Sequence, residues 1–453
     1  MNTTIAAIAT GQAPGGIGVV RISGPRALFV ADSVFSPVSH KPLEHLSGYT
    51  AAYGKVVSST GEKLDDCVAL VFRSPKSYTG EDVVELSCHG GLYITRQVLG
   101  RVLEAGARLA GPGEFTRRAF LNGKMDLAQA ESVMALIGAK GEQAARMARA
   151  GGSGALSQRV QEISDKLSSM AAHLAAWADF PEEDVEDVEA SVLVDCLQDC
   201  SARLERLLMG FRKGRVYREG LRTVIAGRPN VGKSTLMNLL SGHNRSIVTP
   251  FPGTTRDVVE EPAVLAGIPL LLADTAGLRE TADPAEQIGV AAARERILSG
   301  QLVLAVFDWS RELDDQDFQL IESLRGIPAI GIVNKSDLPG KLDINQIFAA
   351  FSHVVVISAG QSQGLEELEK EFSLFMRDFD PEAGELFTQR QQEAVSRSKA
   401  ALEEGMRALE LGLTLDAVTV CVEDALSALF ELTGKRVSDE VIDQVFDTFC
   451  VGK

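Results

Sequence analysis

The run Gly227-Arg-Pro-Asn-Val-Gly-Lys-Ser234 constrains this chain more than any other feature. It follows an apolar run, Leu221 to Ala226, and opens onto Thr235-Leu-Met-Asn-Leu-Leu240, which has the character of a helix. Strand, glycine-rich turn and helix in immediate succession are the context a phosphate-binding loop requires. Glycines let main-chain N–H groups curl round a phosphate, a lysine adds a point charge, and a hydroxyl at the helix start reaches Mg²⁺. Lys233 and Ser234 occupy the last two of these places.

The segments that follow extend the pattern. Apolar runs at Pro269 to Ala273, Leu302 to Phe307, Ala329 to Val333 and Val354 to Ile357 alternate with helical stretches, which predicts a doubly wound parallel sheet buried on both faces. Polar motifs sit at the ends of these strands. Asp274-Thr-Ala-Gly277 is placed to reach Mg²⁺ through water and to sense a terminal phosphate. In Asn334-Lys-Ser-Asp337 the Asp337 carboxylate can accept from the ring N–H and the exocyclic amine of guanine, and adenine presents the opposite pattern. Ser358-Ala359 suits a main-chain contact to the guanine oxygen, and Thr255 of Thr254-Thr255 stands where a threonine completes Mg²⁺ coordination. The expected ligand is GTP with Mg²⁺, the metal held by Ser234 and Thr255. Leu278 follows Gly277, where Ras-like enzymes carry a water-orienting glutamine, so another group must position the attacking water.

A chain of 453 residues exceeds one ordinary domain. Residues 1 to 120 mix β-rich runs (Gly18 to Ile22, Asp66 to Phe72, Asp82 to Ser87) with a helix from Leu92 to Ala105, which predicts an α+β domain. Residues 121 to 216 turn helical: Leu156, Val160, Ile163, Leu167, Met170, Leu174 and Trp177 form one stripe, and Leu193, Leu197, Cys200, Leu204, Leu207 and Phe211 a second. Two helices packed on each other are expected. After the nucleotide-binding segment, 217 to 376, residues 377 to 453 are helical again, with Ser438 as an expected N-cap. The whole reads as a discontinuous all-α domain with an α/β Ras-like GTPase domain inserted in it.

Charge and cysteine content narrow the function. A net charge of −17 opposes broad non-specific nucleic-acid binding, so any such contact must be local or shared with a partner. Six scattered cysteines make no disulfide framework, and Cys196 and Cys200 lack companions for a zinc site. No apolar run approaches the roughly 20 residues that cross a bilayer. The segment Met1 to Ile8 lacks the basic and apolar regions of a secretory signal, so a cytoplasmic location is expected.

Three further stretches carry a resemblance: Thr79-Gly-Glu-Asp-Val-Val-Glu-Leu-Ser-Cys-His-Gly-Gly91, Gly113-Glu-Phe-Thr-Arg-Arg-Ala-Phe-Leu-Asn-Gly-Lys-Met-Asp-Leu-Ala-Gln-Ala-Glu131, and the ending Phe449-Cys-Val-Gly-Lys453. With the inserted GTPase domain, the chain resembles the MnmE (TrmE) family of tRNA-modification GTPases over its whole length. The resemblance implies a folate-binding, dimerising N-terminal domain, and a heterotetramer with an FAD-dependent partner of the GidA/MnmG kind. It also implies transfer of an aminomethyl or carboxymethylaminomethyl group to carbon 5 of the tRNA wobble uridine, with formyl-tetrahydrofolate as the one-carbon source. Arg21, Glu81, Lys124 and Lys453 match the family's folate positions; Asn230, Thr249, Phe251 and Thr254 match those holding K⁺; and Glu286 matches the water-activating glutamate. Glu286, Asn230 and Cys450 are thus the expected catalytic residues. The nucleotide contacts are Asn230, Val231, Gly232, Lys233, Ser234, Thr235, Thr249, Thr254, Thr255, Asp274, Thr275, Ala276, Gly277, Asn334, Lys335, Asp337, Ser358, Ala359 and Gly360. His89 suits a core position or a ligand contact equally.

Two other readings share the nucleotide motifs. A ribosome-assembly GTPase of the Era or Der kind would carry a basic RNA-binding domain, which a charge of −17 and the Phe-Cys-Val-Gly-Lys ending do not suit. In a folate-dependent aminomethyltransferase the GTPase domain would serve only as a switch.

Overall fold

A computed structural model describes residues 3–11, 13–139, 141–179, 190–243, 261–274, 301–376 and 388–452. The chain forms two compact units: Met1–Met134 with Gly152–Ser201 and Glu393–Lys453, and Ala135–Gly151 with Ala202–Gln392.

In the first unit, strands β1 (Ile5–Ile8), β2 (Ile17–Ser23), β3 (Phe35–Pro37), β4 (Thr50–Val57), β5 (Lys63–Phe72), β6 (Val83–His89) and β7 (Arg108–Leu109) make a seven-stranded sheet ordered β3-β4-β5-β6-β2-β1-β7. Only the β1–β7 pair is parallel. Asp65, Cys67, Ala69 and Val71 alternate inward along β5, as a sheet with one packed face requires. Val98 and Val102 of helix Leu92–Glu104 pack against them.

The helical part of this unit carries the first apolar stripe on helix Ala155–Asp179 and the start of the second on helix Ala190–Glu219, whose residues from Ala202 onward belong to the second unit. Leu156, Val160, Ile163, Leu167 and Leu174 are buried, as are Leu193, Leu197 and Cys200. The expectation that these two helices pack mainly on each other needs amending. Helix Ala155–Asp179 lies most closely along a third helix, Leu415–Thr433. The Lys166–Asp199 ion pair, at 2.6 Å, joins it to Ala190–Glu219. Helix Asp439–Asp447 starts at Ser438, whose hydroxyl accepts the Val441 N–H. It buries Ile442, Val445 and Phe446 against Leu127 and Ala130.

The second unit is built on β8 (Leu221–Ala226), β9 (Glu261–Leu265), β10 (Ile268–Asp274), β11 (Leu302–Asp308), β12 (Ala329–Asn334) and β13 (Val354–Val356), ordered β13-β12-β11-β8-β10-β9. β11 is buried along its whole length, as helices on both faces of a parallel sheet dictate. The sheet is not wholly parallel as expected, because the edge strand β9 runs antiparallel to β10 across the Ala266-Gly267 turn. Met147, from helix Glu142–Gly152, joins this unit's core beside Leu221 and Leu270. Among the described residues no helix is long and apolar enough to cross a membrane.

Candidate nucleotide site and a second polar site

The carboxyl ends of β8, β10, β11 and β12 meet at one edge of the second sheet. Asp274 pairs in register with Ile225, and Asp308 with Asn334. The loop after β8 wraps the start of helix Lys233–His243. Two glycines are fixed by sterics here. A Cβ on Gly232 (φ 99°) would stand 2.2 Å from Asn334 Nδ2, and one on Gly227 (φ 154°) would stand 2.5 Å from the Val306 carbonyl. Asn230 is itself left-handed, at φ 64°. Lys233 Nζ donates to the carbonyls of Gly227 and Arg228, both at 2.8 Å. The ammonium is thereby held inside the curl of the loop. Ser234 and Thr235 are exposed in the first turn of the helix, a hydroxyl pair of the kind hard cations prefer.

The guanine motif grips this loop from the other side. Asn334 Nδ2 donates to the Val231 carbonyl at 2.9 Å, and its Oδ1 accepts the Ala359 N–H at 2.9 Å. Lys335 Nζ donates to the Asn230 carbonyl at 2.7 Å and to Asp308 Oδ2 at 2.6 Å. Asp308 was not foreseen as a site residue. Burial pushes its carboxyl up, but Lys335 and Ser310 outweigh this and hold it below the ordinary range. Asp337 is exposed, and its Oδ1 accepts from Ser358 Oγ at 2.5 Å. Gly360 is exposed beside buried Ala359. The structure thus brings Asn230 to Thr235, Asn334, Lys335, Asp337 and Ser358 to Gly360 into one cradle, with Asp274 ending the neighbouring strand. Thr249, Phe251, Thr254, Thr255, Thr275, Ala276, Gly277 and Glu286 lie outside the described residues. Among the described residues no cluster of three or more His, Cys, Asp or Glu side chains suits a metal. A cation here would draw on hydroxyl, amide and phosphate oxygens instead.

A second polar site lies in the first unit, around the loop from Ser77 to Glu81. Arg21 Nε donates to Glu85 at 2.8 Å, and its guanidinium lies 5.9 Å from the Tyr78 ring centre and 5.6 Å from that of Phe115. Arg21 Nη1 also donates to the Gly452 carbonyl at 3.4 Å, which brings the chain's ending to this site, although Lys453 itself lies outside the described residues. Glu81 accepts from Ser23 Oγ at 2.7 Å and from Arg118 Nη1 at 3.1 Å. Lys124 Nζ donates to the Pro75 carbonyl at 3.0 Å, and its Cγ would lie 3.4 Å from a Cβ on Gly80. Arg21, Glu81 and Lys124 therefore surround one loop, with a basic group, a carboxylate and aromatic faces together. That set suits a ligand with a flat heteroaromatic ring and carboxylate groups.

Arg118 was missed by sequence reasoning, yet it joins this site most thoroughly. Its side chain is 4% exposed and also donates to Glu114 at 3.0 Å and to the Thr3 carbonyl at 2.8 Å. Cys450 is exposed, with its carbonyl 3.4 Å from the Gly113 N–H. His89 does not take the core position that its surroundings in the sequence allowed. Its side chain is 72% exposed, with Nδ1 2.7 Å from Asp65 Oδ1, a surface pair that raises the imidazole pKa.

Comparison with known proteins covers both units. Residues 4–124 match the family model described as GTP-binding protein TrmE N-terminus, and residues 127–450 match that of the MnmE helical domain. The tRNA modification GTPase MnmE of Symbiobacterium thermophilum is 47% identical, over 99% of each chain. Its namesake in Geobacter sulfurreducens is 42% identical over 100% of each chain. That of Thermoanaerobacter pseudethanolicus is 40% identical over 99% of each. With the nucleotide cradle of the second unit, these full-length matches establish that the chain belongs to the MnmE family of tRNA modification GTPases and is a GTP-binding GTP hydrolase.

Proposed function

We propose that this chain couples GTP hydrolysis to modification of carbon 5 of the tRNA wobble uridine, adding an aminomethyl or carboxymethylaminomethyl group together with a flavin-dependent partner. The observation that carries the reading is the presence, in one chain, of the GTP cradle and of a separate site where Arg21, Glu81 and Lys124 surround an aromatic loop. In this reading formyl-tetrahydrofolate supplies the one-carbon unit when bound. Glu81 takes hydrogen bonds from the pterin, and Arg21, Lys124 and Lys453 pair with the carboxylates of the folate's glutamate tail. The protein acts in the cytoplasm as a homodimer through its N-terminal domain, within a heterotetramer. The expected domains are 1–120, 121–216 with 377–453, and 217–376. A ribosome-assembly role of the Era or Der kind leaves the Arg21–Glu81 site without a purpose.

The test is the wobble uridine of tRNA from cells lacking the chain, complemented with variants. Loss of the modified nucleoside is expected, with rescue by wild type. Arg21→Ala or Glu81→Ala should fail to rescue and fail to bind formyl-tetrahydrofolate while GTP affinity is retained. Normal nucleosides in the deletion strain would overturn the proposal.

The GTPase step rests on groups that offset Leu278. Mg²⁺ is held by Ser234 and Thr255, and K⁺ by the Asn230 side chain with Thr249, Phe251 and Thr254. The monovalent ion supplies positive charge beside the phosphates when bound, and Glu286 positions water. Two GTPase domains face each other in the potassium-dependent transition state. Hydrolysis is therefore expected to run faster in KCl than in matched NaCl, and Asn230→Ala to erase the difference. Glu286→Ala should slow the potassium-activated rate on the order of 10²-fold. Equal wild-type rates in the two salts would exclude the potassium mechanism.

A further inference from the structure

Arg228 has no role in the assignments above, although it is the second residue of the phosphate loop. Its side chain reaches away from the loop to the start of helix Asp315–Ser323. There Nη1 lies 2.7 Å from Asp314 Oδ2 and 3.3 Å from Asp317 Oδ2. Those two carboxylates form the helix's capping box: Asp314 accepts the N–H groups of Gln316 and Asp317, and Asp317 accepts that of Asp314. Each acid is thus already fixed by main-chain donors, so the guanidinium docks on a rigid anchor. Asp317 is 7% exposed; burial pushes its carboxyl up, against the pull of the Asp314 N–H and of Arg228.

The main chain of the same residue does separate work. The Arg228 carbonyl is one of the two that hold Lys233 Nζ, at 2.8 Å. Pro229 follows, which restricts Arg228 to extended backbone and fixes the next φ. Side chain and carbonyl leave neighbouring atoms of one residue, so a tether on the first limits rotation of the second. Arg228 Nε is buried and has no partner among the described residues. An ion pair serving stability alone would gain by turning that donor to a carboxylate.

We propose that Arg228 is a positioning residue for nucleotide binding: tied to the Asp314–Asp317 capping box, it fixes the carbonyl that aims Lys233 at the phosphates. The inference rests on the GTP site described above and adds a residue to it. The helix Asp315–Ser323 thereby becomes part of the phosphate grip without touching the nucleotide.

The test uses the full-length chain, with dissociation constants for GDP and GTP, steady-state GTPase kinetics, and melting temperature without nucleotide. Arg228→Met should weaken both nucleotides about tenfold, as the Lys233 ammonium loses its aim and with it about one charge-assisted hydrogen bond to phosphate. The loss should fall on KM more than on kcat. Arg228→Lys, which keeps the charge but not the fork, should lie between wild type and Arg228→Met, and remains informative if Arg228→Met fails to fold. Asp317→Asn should weaken binding too, while the double variant binds no worse than Arg228→Met. Wild-type affinity in Arg228→Met, or effects of Arg228→Met and Asp317→Asn that simply add, would overturn the inference. Lys233→Ala is the control for the site itself; unchanged GTP affinity there would remove the site and the inference with it.

Discussion

Asp337→Asn is expected to weaken GTP binding by about 10² to 10⁴-fold and to shift preference toward xanthosine triphosphate. The Asp337 carboxylate is exposed and oriented by the 2.5 Å hydrogen bond from Ser358 Oγ, at the mouth of the cradle formed by Asn334 and Ala359. Guanine would give it two N–H donors. Charge-assisted hydrogen bonds contribute about 1.5–3 kcal/mol each, and about 1.4 kcal/mol is tenfold in affinity, which sets the range. Asparagine turns one acceptor into a donor that meets the exocyclic amine. Xanthine carries a carbonyl at that position and restores the second bond. Competition titrations with both triphosphates measure the switch. Unchanged GTP affinity would contradict the assignment of Asp337 to the base.

Arg118→Met should destabilise the first unit by about 3–5 kcal/mol, the usual cost of removing one partner from a buried ion pair. Arg118 is 4% exposed, and its partners Glu81 and Glu114 are 14% and 15% exposed. Methionine fills most of the volume but removes the donors that Glu81, Glu114 and the Thr3 carbonyl share. The loss should depend on pH. Burial pushes the Glu114 carboxyl up, but the Gly111 N–H, Arg108 and Arg118 outweigh it and hold it below its ordinary value of 4.5. A carboxyl lowered on folding contributes stability above the unfolded value and loses it as pH falls through the folded one. The gap between wild type and Arg118→Met should therefore be full near neutrality and close below about pH 4.5. Urea unfolding at several pH values tests this. A gap that widened with acid would show that Glu114 is not the partner that matters.

The nucleotide cradle was legible because each motif ends an apolar strand, and strand and motif reinforce one another. Leu221–Ala226 folds with the bounds its composition suggested. Asp308 was passed over because one acid ending the run Leu302 to Phe307 has no distinguishing pattern; its meaning comes from Lys335, which chain separation hides. β9 was missed because Pro262 demotes a short edge strand in any pattern-based reading, although such an edge tolerates proline. Arg118 had a signal that went unused. It stands three residues after Phe115 and one before Ala119, on the buried face of helix Glu114–Leu121, whereas Arg117 points toward Asp443 and solvent. Helical phase separates the two arginines; composition does not. The two stripe-bearing helices are joined by the Lys166–Asp199 pair, yet Ala155–Asp179 lies mainly along Leu415–Thr433, because periodicity reports that a face is covered, not which helix covers it.

The amide of Asn334 and the ammonium of Lys335 fasten the loop that grips phosphates to the loop that reads the base. The two halves of a nucleotide consequently meet one preassembled body rather than two pockets that must be brought into line. Guanosine and an inorganic polyphosphate, supplied as separate molecules, each lose translational freedom on docking, and the intact nucleotide loses it once. Its affinity should exceed the product of the fragments' affinities, and the excess measures how firmly these two neighbouring side chains join the loops.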